Sequence, residues 1–373
     1  MTERSGRGLA EPHDHHGRRA RARAAVAERG AAHLLVTDPR NVRYLTGFTG
    51  SNGQVLLGPE PSDEVLITDA RYDQRAATEA PDLPRTLDRD PFGVALPLVA
   101  DHAGQLLVED HHLTWAVARR ASDRATAHGL ELVGAGRLVE GLRLVKEPSE
   151  VERIAEACDI TQRCLAWLFD EVVSVGRTER ELATLLERRF VDSGADGVAF
   201  PSIVASGPNS AIPHHEPTDR RLEAGDLLTV DCGALVDGYH ADHTRTVAIG
   251  HLDDRLAEVH RLVQVAQAAG RAAVSAGVGA GEVDAAAREV IEDGGYGEAF
   301  VHGTGHGIGL AVHEDPTVGR GATATLEPSI VLTVEPGLYL PGLGGVRIED
   351  TLVVTADGPA RALTDTPREL RVL

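Results

Sequence analysis

Apolar and polar positions along this chain change period several times, and the changes outline its elements. In the first third the apolar runs are short. Residues 32–36, 54–57, 64–68, 106–108 and 131–133 each read as a strand closed by turn residues, with helix-like stretches between them. Past Pro148 the period lengthens. Val151, Ile154, Cys158, Thr161, Leu165, Leu168 and Val172 recur at intervals of threes and fours, and Ser149 with Glu152 forms a capping box at the head of that helix. Thr178 with Glu181 repeats the capping signal for a helix reaching about Val191, and further helical patterns cover residues 256–274 and 283–293. Strand-like segments follow each helix pair. The expected architecture is a small α/β domain over residues 18–140, then an α+β domain over residues 141–373. In the latter, helix pair, strands, helix pair, strands implies internal pseudo-twofold symmetry. Residues 1–17, with His13, His15 and His16 among Gly and Arg in no period, predict a disordered tail.

Composition narrows the class. A chain of 373 residues has length for two cores, and 42% hydrophobic with 25% charged residues is the balance of a soluble globular protein. A net charge of -20 argues against sequence-independent binding to nucleic acid or to an anionic membrane surface, both of which need concentrated Lys and Arg. No apolar run reaches the ~18 residues of a membrane span, and the charged N-terminus lacks the apolar stretch of a secretory signal. Cys158, Cys164 and Cys232 have neither disulfide-framework nor metal-type spacing, as expected of reduced thiols in a cytoplasmic protein.

The chemistry lies in a duplication. Leu228-Thr229-Val230-Asp231 returns as Leu332-Thr333-Val334-Glu335, and each copy is followed by a second acid two residues before a threonine: Asp242-His243-Thr244 and Glu349-Asp350-Thr351. Strand alternation puts Thr229 with Asp231, Thr333 with Glu335, Asp242 with Thr244 and Glu349 with Thr351, so each hairpin can aim two acids at one point with threonines beside them. Between the copies, His306 stands in Gly303-Thr304-Gly305-His306-Gly307-Ile308-Gly309, where glycines let backbone and substrate come close. Four converging carboxylates repel and raise one another's pKa values. Two divalent cations would cancel their charge, with His306 completing the shell. Oxygen-rich ligation with one imidazole suits Mn²⁺ first, with Co²⁺, Fe²⁺ or Zn²⁺ as alternatives, whereas Ca²⁺ and Mg²⁺ rarely recruit histidine. A nucleotide-binding glycine loop is the competing reading of 303–309, but such a loop opens a helix after an N-terminal strand. A thiol nucleophile at Cys232 is disfavoured because alternation turns it with Leu228 and Val230 toward the core.

With these residues placed, the chain resembles the pita-bread metallopeptidases, and among them the Xaa-Pro peptidases, aminopeptidase P and prolidase. The resemblance spans residues 30–373. It rests on residues 38–48 and 68–72 in the first domain, and in the second on residues 205–210, Val230-Asp231-Cys232-Gly233, Asp242-His243-Thr244-Arg245-Thr246, the His306 loop, Val334-Glu335-Pro336-Gly337 and residues 345–350. It implies a creatinase-like N-terminal domain and a catalytic pita-bread domain. It further implies Asp231, Asp242, His306, Glu335 and Glu349 as metal ligands, His214, His302 and His313 as catalytic histidines, and Tyr339 with Arg347 shaping the prolyl pocket. His243, between the second acid and Thr-Arg-Thr, departs from the family pattern.

The activity implied is hydrolysis of the Xaa-Pro bond at the N-terminus of peptides. A metal-bridging hydroxide would attack, Glu335 would accept the proton and histidines would steady the tetrahedral intermediate. Proline lacks the amide hydrogen that most peptidases grip, so its bond needs a dedicated enzyme. A prolidase restricted to dipeptides is the alternative. A methionine aminopeptidase fits less well because of the long N-terminal domain and Ile212-Pro213-His214, and a creatinase because those enzymes lack this ligand set. A catalytically inactive binding module is the different-class alternative, which loss of ligands would mark. The resemblance also implies a homodimer.

Overall fold

A computed structural model describes residues 12–100 and 104–373, and the chain divides into two compact units at Arg143/Leu144. In the first unit the five predicted strands and one the sequence did not mark, Arg85–Leu87, form one mixed six-stranded sheet, ordered Arg85–Leu87, Val65–Thr68, Gly53–Leu57, His33–Val36, Gln105–Val108, Glu131–Gly134. His33–Val36 runs antiparallel to Gly53–Leu57 and parallel to Gln105–Val108. Its four residues are all buried, as the apolar run Leu34-Leu35-Val36 with no polar face requires, and His33 is buried with them. The expectation of a disordered tail over residues 1–17 fails at its C-terminal end. Residues 1–11 lie outside the described residues, but His15–Glu28 is a helix whose N-cap Asp14 accepts from the Gly17 amide. Arg19 is 1% exposed in that helix and paired with Glu64 at 2.7 Å.

The second unit follows the expected order. Helices Pro148–Trp167 and Glu179–Asp192 precede a three-stranded sheet of His243–Ala248, Leu227–Cys232 and Ile203–Ser206. Helices Asp254–Ala273 and Ala280–Asp293 precede a five-stranded sheet ordered Glu314–Val318, Gly305–Gly307, Val331–Val334, Asp350–Val353, Arg361–Ala362. A separate hairpin pairs Gly337–Leu340 with Gly344–Arg347. The capping box of the first helix is two residues earlier than predicted. Pro148 fills the first helical position, where its missing amide hydrogen costs nothing, so the cap falls on Glu147 with Glu150 as its partner. The Thr178–Glu181 box is present, with the Glu181 amide 3.1 Å from the Thr178 hydroxyl.

Leu256, Val259, Val263 and Ala266 share one face of their helix and pack with Leu227, Leu338, Val346 and Ile348. Truncating one of these leucines to alanine costs about 2–5 kcal/mol. That core stiffens the strands that carry the polar residues described next.

Candidate metal centre

Each half of the second unit delivers two acids, and the halves are bonded to each other where the acids lie. Asp231 stands on Leu227–Cys232 opposite Thr244, and Asp242 immediately precedes the return strand. Glu335 follows Val331–Val334, its amide donating to the Thr304 carbonyl at 2.7 Å. Glu349 precedes Asp350–Val353, and its amide donates to the Thr244 carbonyl of the other half at 3.1 Å. His306 sits on Gly305–Gly307, where the register shifts between His306 and Gly307. The glycines beside it are demanded by the sheet rather than by a ligand: a Cβ at Gly305 would strike the Thr333 carbonyl, and one at Gly307 the Asp315 carbonyl.

The groups converge. Ligand atoms of Asp242, His306 and Glu349 all lie within 4.8 Å of one another. His306 Nε2 is 3.3 Å from Glu335 Oε1 and 3.6 Å from Asp242 Oδ2. His306 Nδ1 is 3.0 Å from the Gly307 carbonyl, which keeps a proton on Nδ1 and leaves Nε2 facing the acids, where it donates to Glu335 in the cation-free cluster. Arg347 spans the remaining acid, with Nη2 2.6 Å from Asp231 Oδ2.

The threonines work differently from the pattern read along single strands. Thr333 does serve its neighbour, donating to Glu335 Oε1 at 3.2 Å. Thr244, however, donates to Glu349 Oε2 at 2.7 Å, and Thr351 donates to the Asp242 carbonyl at 2.9 Å, so these two cross between the halves. Thr229 is paired with Thr246 at 2.9 Å instead of with Asp231.

The electrostatics limit the charge these acids can carry by themselves. Burial, followed by the negative charges of Glu349, Asp231 and Glu335, pushes the Asp242 carboxyl well above its usual range. Burial and the charges of Glu335 and Asp231 do the same to Glu349. Burial opposes the charge on Glu335 as well, but its hydrogen bond and attraction to His306 draw it down to about 2. Four converging carboxylates with only Arg347 and His306 beside them resist ionising together without added positive charge. Asp231 Oδ1 and Glu349 Oε1 are also buried with no hydrogen-bond partner. Orphaned carboxylate oxygens beside an imidazole nitrogen that can give up its proton fit divalent cations, which accept such donors.

The other predicted residues line one cavity of about 460 Å³, together with Asp231, Asp242, His306 and Glu335. His214, His302, His313, Tyr339 and Arg347 all contribute to its wall. Arg347 Nη1 donates to the Tyr339 hydroxyl at 2.8 Å, which lies 2.8 Å from His302 Nε2. His302 Nδ1 is 2.7 Å from the Gly303 carbonyl, so both of its ring nitrogens are engaged, and burial lowers its pKa. His313 packs edge-on against His306, ring centroids 4.4 Å apart, and burial followed by the His306 charge lowers its pKa. The loop carrying His313 is anchored by a buried pair, Lys146 Nζ to Glu314 Oε2 at 3.0 Å. His243 faces away, 3.1 Å from the Thr366 hydroxyl, and His215 is drawn to Glu179 at 2.8 Å. Cys232 is fully buried, and burial with the adjacent Asp231 charge raises its thiol well above the usual value, which leaves no thiolate for nucleophilic work.

Two groups that support this wall carried no sequence signal. Asp284 accepts from the Thr304 amide at 3.1 Å and hydroxyl at 2.8 Å, and Arg288 donates to the His302 carbonyl at 2.8 Å. Both lie among helical residues whose period marks them only as helix.

Comparison with known proteins gives the family. Metallopeptidase family M24 matches residues 152–356, and the Creatinase/Prolidase N-terminal domain matches residues 18–145. A Xaa-Pro dipeptidase of Pyrococcus furiosus is 33% identical over 90% of this chain and 94% of its own. The structure of a Xaa-Pro dipeptidase from Bacillus anthracis superposes with a TM-score of 0.92 at 35% identity, covering 96% of this chain and all of the other. That of an X-Pro aminopeptidase from Thermotoga maritima gives 0.87 at 36% identity, covering 95% and 99%. The chain belongs to metallopeptidase family M24 and carries the creatinase-type N-terminal domain ahead of a pita-bread domain. It is a metal-dependent hydrolase.

Proposed function

We propose that this enzyme hydrolyses the Xaa-Pro bond at the N-terminus of peptides, in the manner of an aminopeptidase P. Relatives at 33–36% identity that carry Xaa-Pro names support the bond specificity. Asp231, Asp242, His306, Glu335 and Glu349 would hold two divalent ions, manganese first given four oxygen donors and one imidazole. When bound, such ions polarise the scissile carbonyl and acidify water enough to make a nucleophile at neutral pH. Glu335, ionised and 17% exposed at the cavity, accepts the water proton and returns it to the leaving proline nitrogen. His214 and His313 donate to the developing oxyanion. His302, with both nitrogens engaged, orients Tyr339. Tyr339 and Arg347 shape the prolyl subsite. A homodimer is the proposed assembly, on family resemblance.

The observation that carries the aminopeptidase form is the state of Arg347. A dipeptide presents a carboxylate directly after proline, and a fixed cation is the strongest partner for that charge. The cavity wall holds one guanidinium and no lysine among the described residues. Every nitrogen of that guanidinium is engaged: Nε with Thr244, Nη1 with Tyr339 and the Pro213 carbonyl, Nη2 with Asp231. A longer peptide makes no such demand. The dipeptidase reading is favoured instead by the names of the Pyrococcus and Bacillus anthracis relatives. Metal-stripped protein resupplied with Mn²⁺ should cleave Ala-Pro-Ala-Ala between Ala and Pro. Cleavage of Ala-Pro alone would establish the prolidase, and cleavage of neither with any divalent ion would remove the peptidase reading.

A further inference from the structure

The segment that presents His214 to the cavity has little structure of its own. After the short turn Gly207–Ala211, no strand or helix forms until Leu227, apart from an isolated bridge between Thr178 and Arg221. The His214 ring makes no hydrogen bond to the described residues, so its place depends on how this backbone is held. What holds it is a carboxylate that forms no part of the cavity wall.

Glu179 is the first residue of helix Glu179–Asp192 and is 0% exposed. A buried carboxylate is tolerable only when its lone pairs are filled, and here both oxygens are saturated. Oε1 accepts from the Ser206 amide at 2.8 Å, the Ser206 hydroxyl at 2.8 Å and Asn209 Nδ2 at 3.0 Å. Oε2 accepts from the Thr218 amide at 3.0 Å, the Thr218 hydroxyl at 2.7 Å and His215 Nε2 at 2.8 Å. The helix N-terminus adds a favourable field for the negative charge. Every donor lies between residues 206 and 218, and together they bracket His214. The other side of the same segment meets the site: the Gly345 amide donates to the Ser210 hydroxyl at 2.8 Å, and Arg347 Nη1 donates to the Pro213 carbonyl at 3.3 Å. The segment is thus clamped between Glu179 and the strand that carries Arg347.

We propose that Glu179 is a positioning residue for this hydrolysis, acting through the 206–218 segment to hold His214 at the cavity. The proposal rests on the peptidase reading above. It locates one determinant of the reaction outside the substrate cavity, in a side chain that touches neither substrate nor metal.

The test is a double-variant cycle between Glu179→Gln and His214→Ala. Glutamine keeps the shape but turns one acceptor oxygen into a donor facing donors. Glu179→Gln should lower kcat on an Xaa-Pro peptide by roughly 10²-fold, with KM nearly unchanged, as for a misplaced catalytic group. In the His214→Ala background the same substitution should add almost nothing. Amide hydrogen exchange should quicken in 206–218 and stay unchanged in the 303–309 loop, a readout independent of activity. Thr218→Val, which removes one hydroxyl donor, should show the same signature more weakly, and it serves if Glu179→Gln does not fold. Full activity in Glu179→Gln, or equal losses with and without His214, overturns the proposal. Full activity in His214→Ala also overturns it while leaving the peptidase intact. Failure of the wild-type protein to cut any Xaa-Pro peptide is the separate outcome that sinks the underlying reading.

Discussion

The Thr244 hydroxyl donates to Glu349 Oε2 at 2.7 Å, and the Glu349 amide returns a bond to the Thr244 carbonyl at 3.1 Å. One residue from the first hairpin thereby fixes both backbone and side chain of an acid from the second. Neither half can place its candidate ligands alone.

Removing that hydroxyl should loosen the centre without unfolding the protein. Thr244→Val keeps the β-branched shape but leaves Glu349 Oε2 without its donor. Metal affinity should fall by about 10–100-fold, the usual effect of losing a group that orients a ligand. Calorimetric metal titration of stripped protein checks this, and wild-type affinity in the variant would contradict it.

Metal binding should release protons. Asp242 and Glu349 are held well above their usual range in the cation-free cluster, by burial and by neighbouring negative charge. They therefore hold their protons to higher pH than ordinary carboxyls do and must lose them to ligate, so affinity rises with pH. Binding heats measured in buffers of different ionisation enthalpy will reveal the release. Heats that do not vary with the buffer would show that the acids are already ionised.

Arg347 should not tolerate lysine. Its fork meets Asp231, Tyr339, Thr244 and Pro213 at once, which a single ammonium cannot reproduce. Arg347→Lys should lower kcat/KM by roughly 10²-fold while the circular dichroism spectrum is kept. Activity close to wild type would mean that the charge suffices and the geometry does not matter.

Acid should destabilise the fold through His260. Burial lowers its pKa from 6.5 to about 4 in the folded protein, where its Nε2 lies 3.3 Å from the Thr246 carbonyl. The unfolded chain then binds a proton that the folded one refuses. Stability is unaffected above pH 6.5 and declines as pH falls toward 4, by about 3 kcal/mol from this group alone. Denaturant unfolding across that window should show a shallower decline in His260→Gln. An identical slope would assign the acid sensitivity elsewhere.

Much of this was legible before the structure. The strand segments of the first unit showed as short apolar runs, and the helices of the second as periods of three and four. Errors fell at ends. Asp14 starts a helix inside the expected tail, and Pro148 moves a cap from Ser149 to Glu147. Both depend on which of several eligible polar residues takes the cap, a choice the apolar period does not make.

The sequence by itself determined the two-unit order, the duplicated hairpin, the four acids and one imidazole, and the inward turn of Cys232. These follow from side-chain periodicity, which is local and repeats every two or 3.6 residues, from the repeated Leu-Thr-Val-acid motif and from the glycines around His306. Only the tertiary structure decided that Thr244 serves Glu349, that Arg347 bridges Asp231 to Tyr339, and that Glu179 and Asp284 anchor the segments bearing His214 and His302. These partners are far apart along the chain. Their contact depends on how one hairpin registers against another and on which helix end meets which loop, and no local period carries that information.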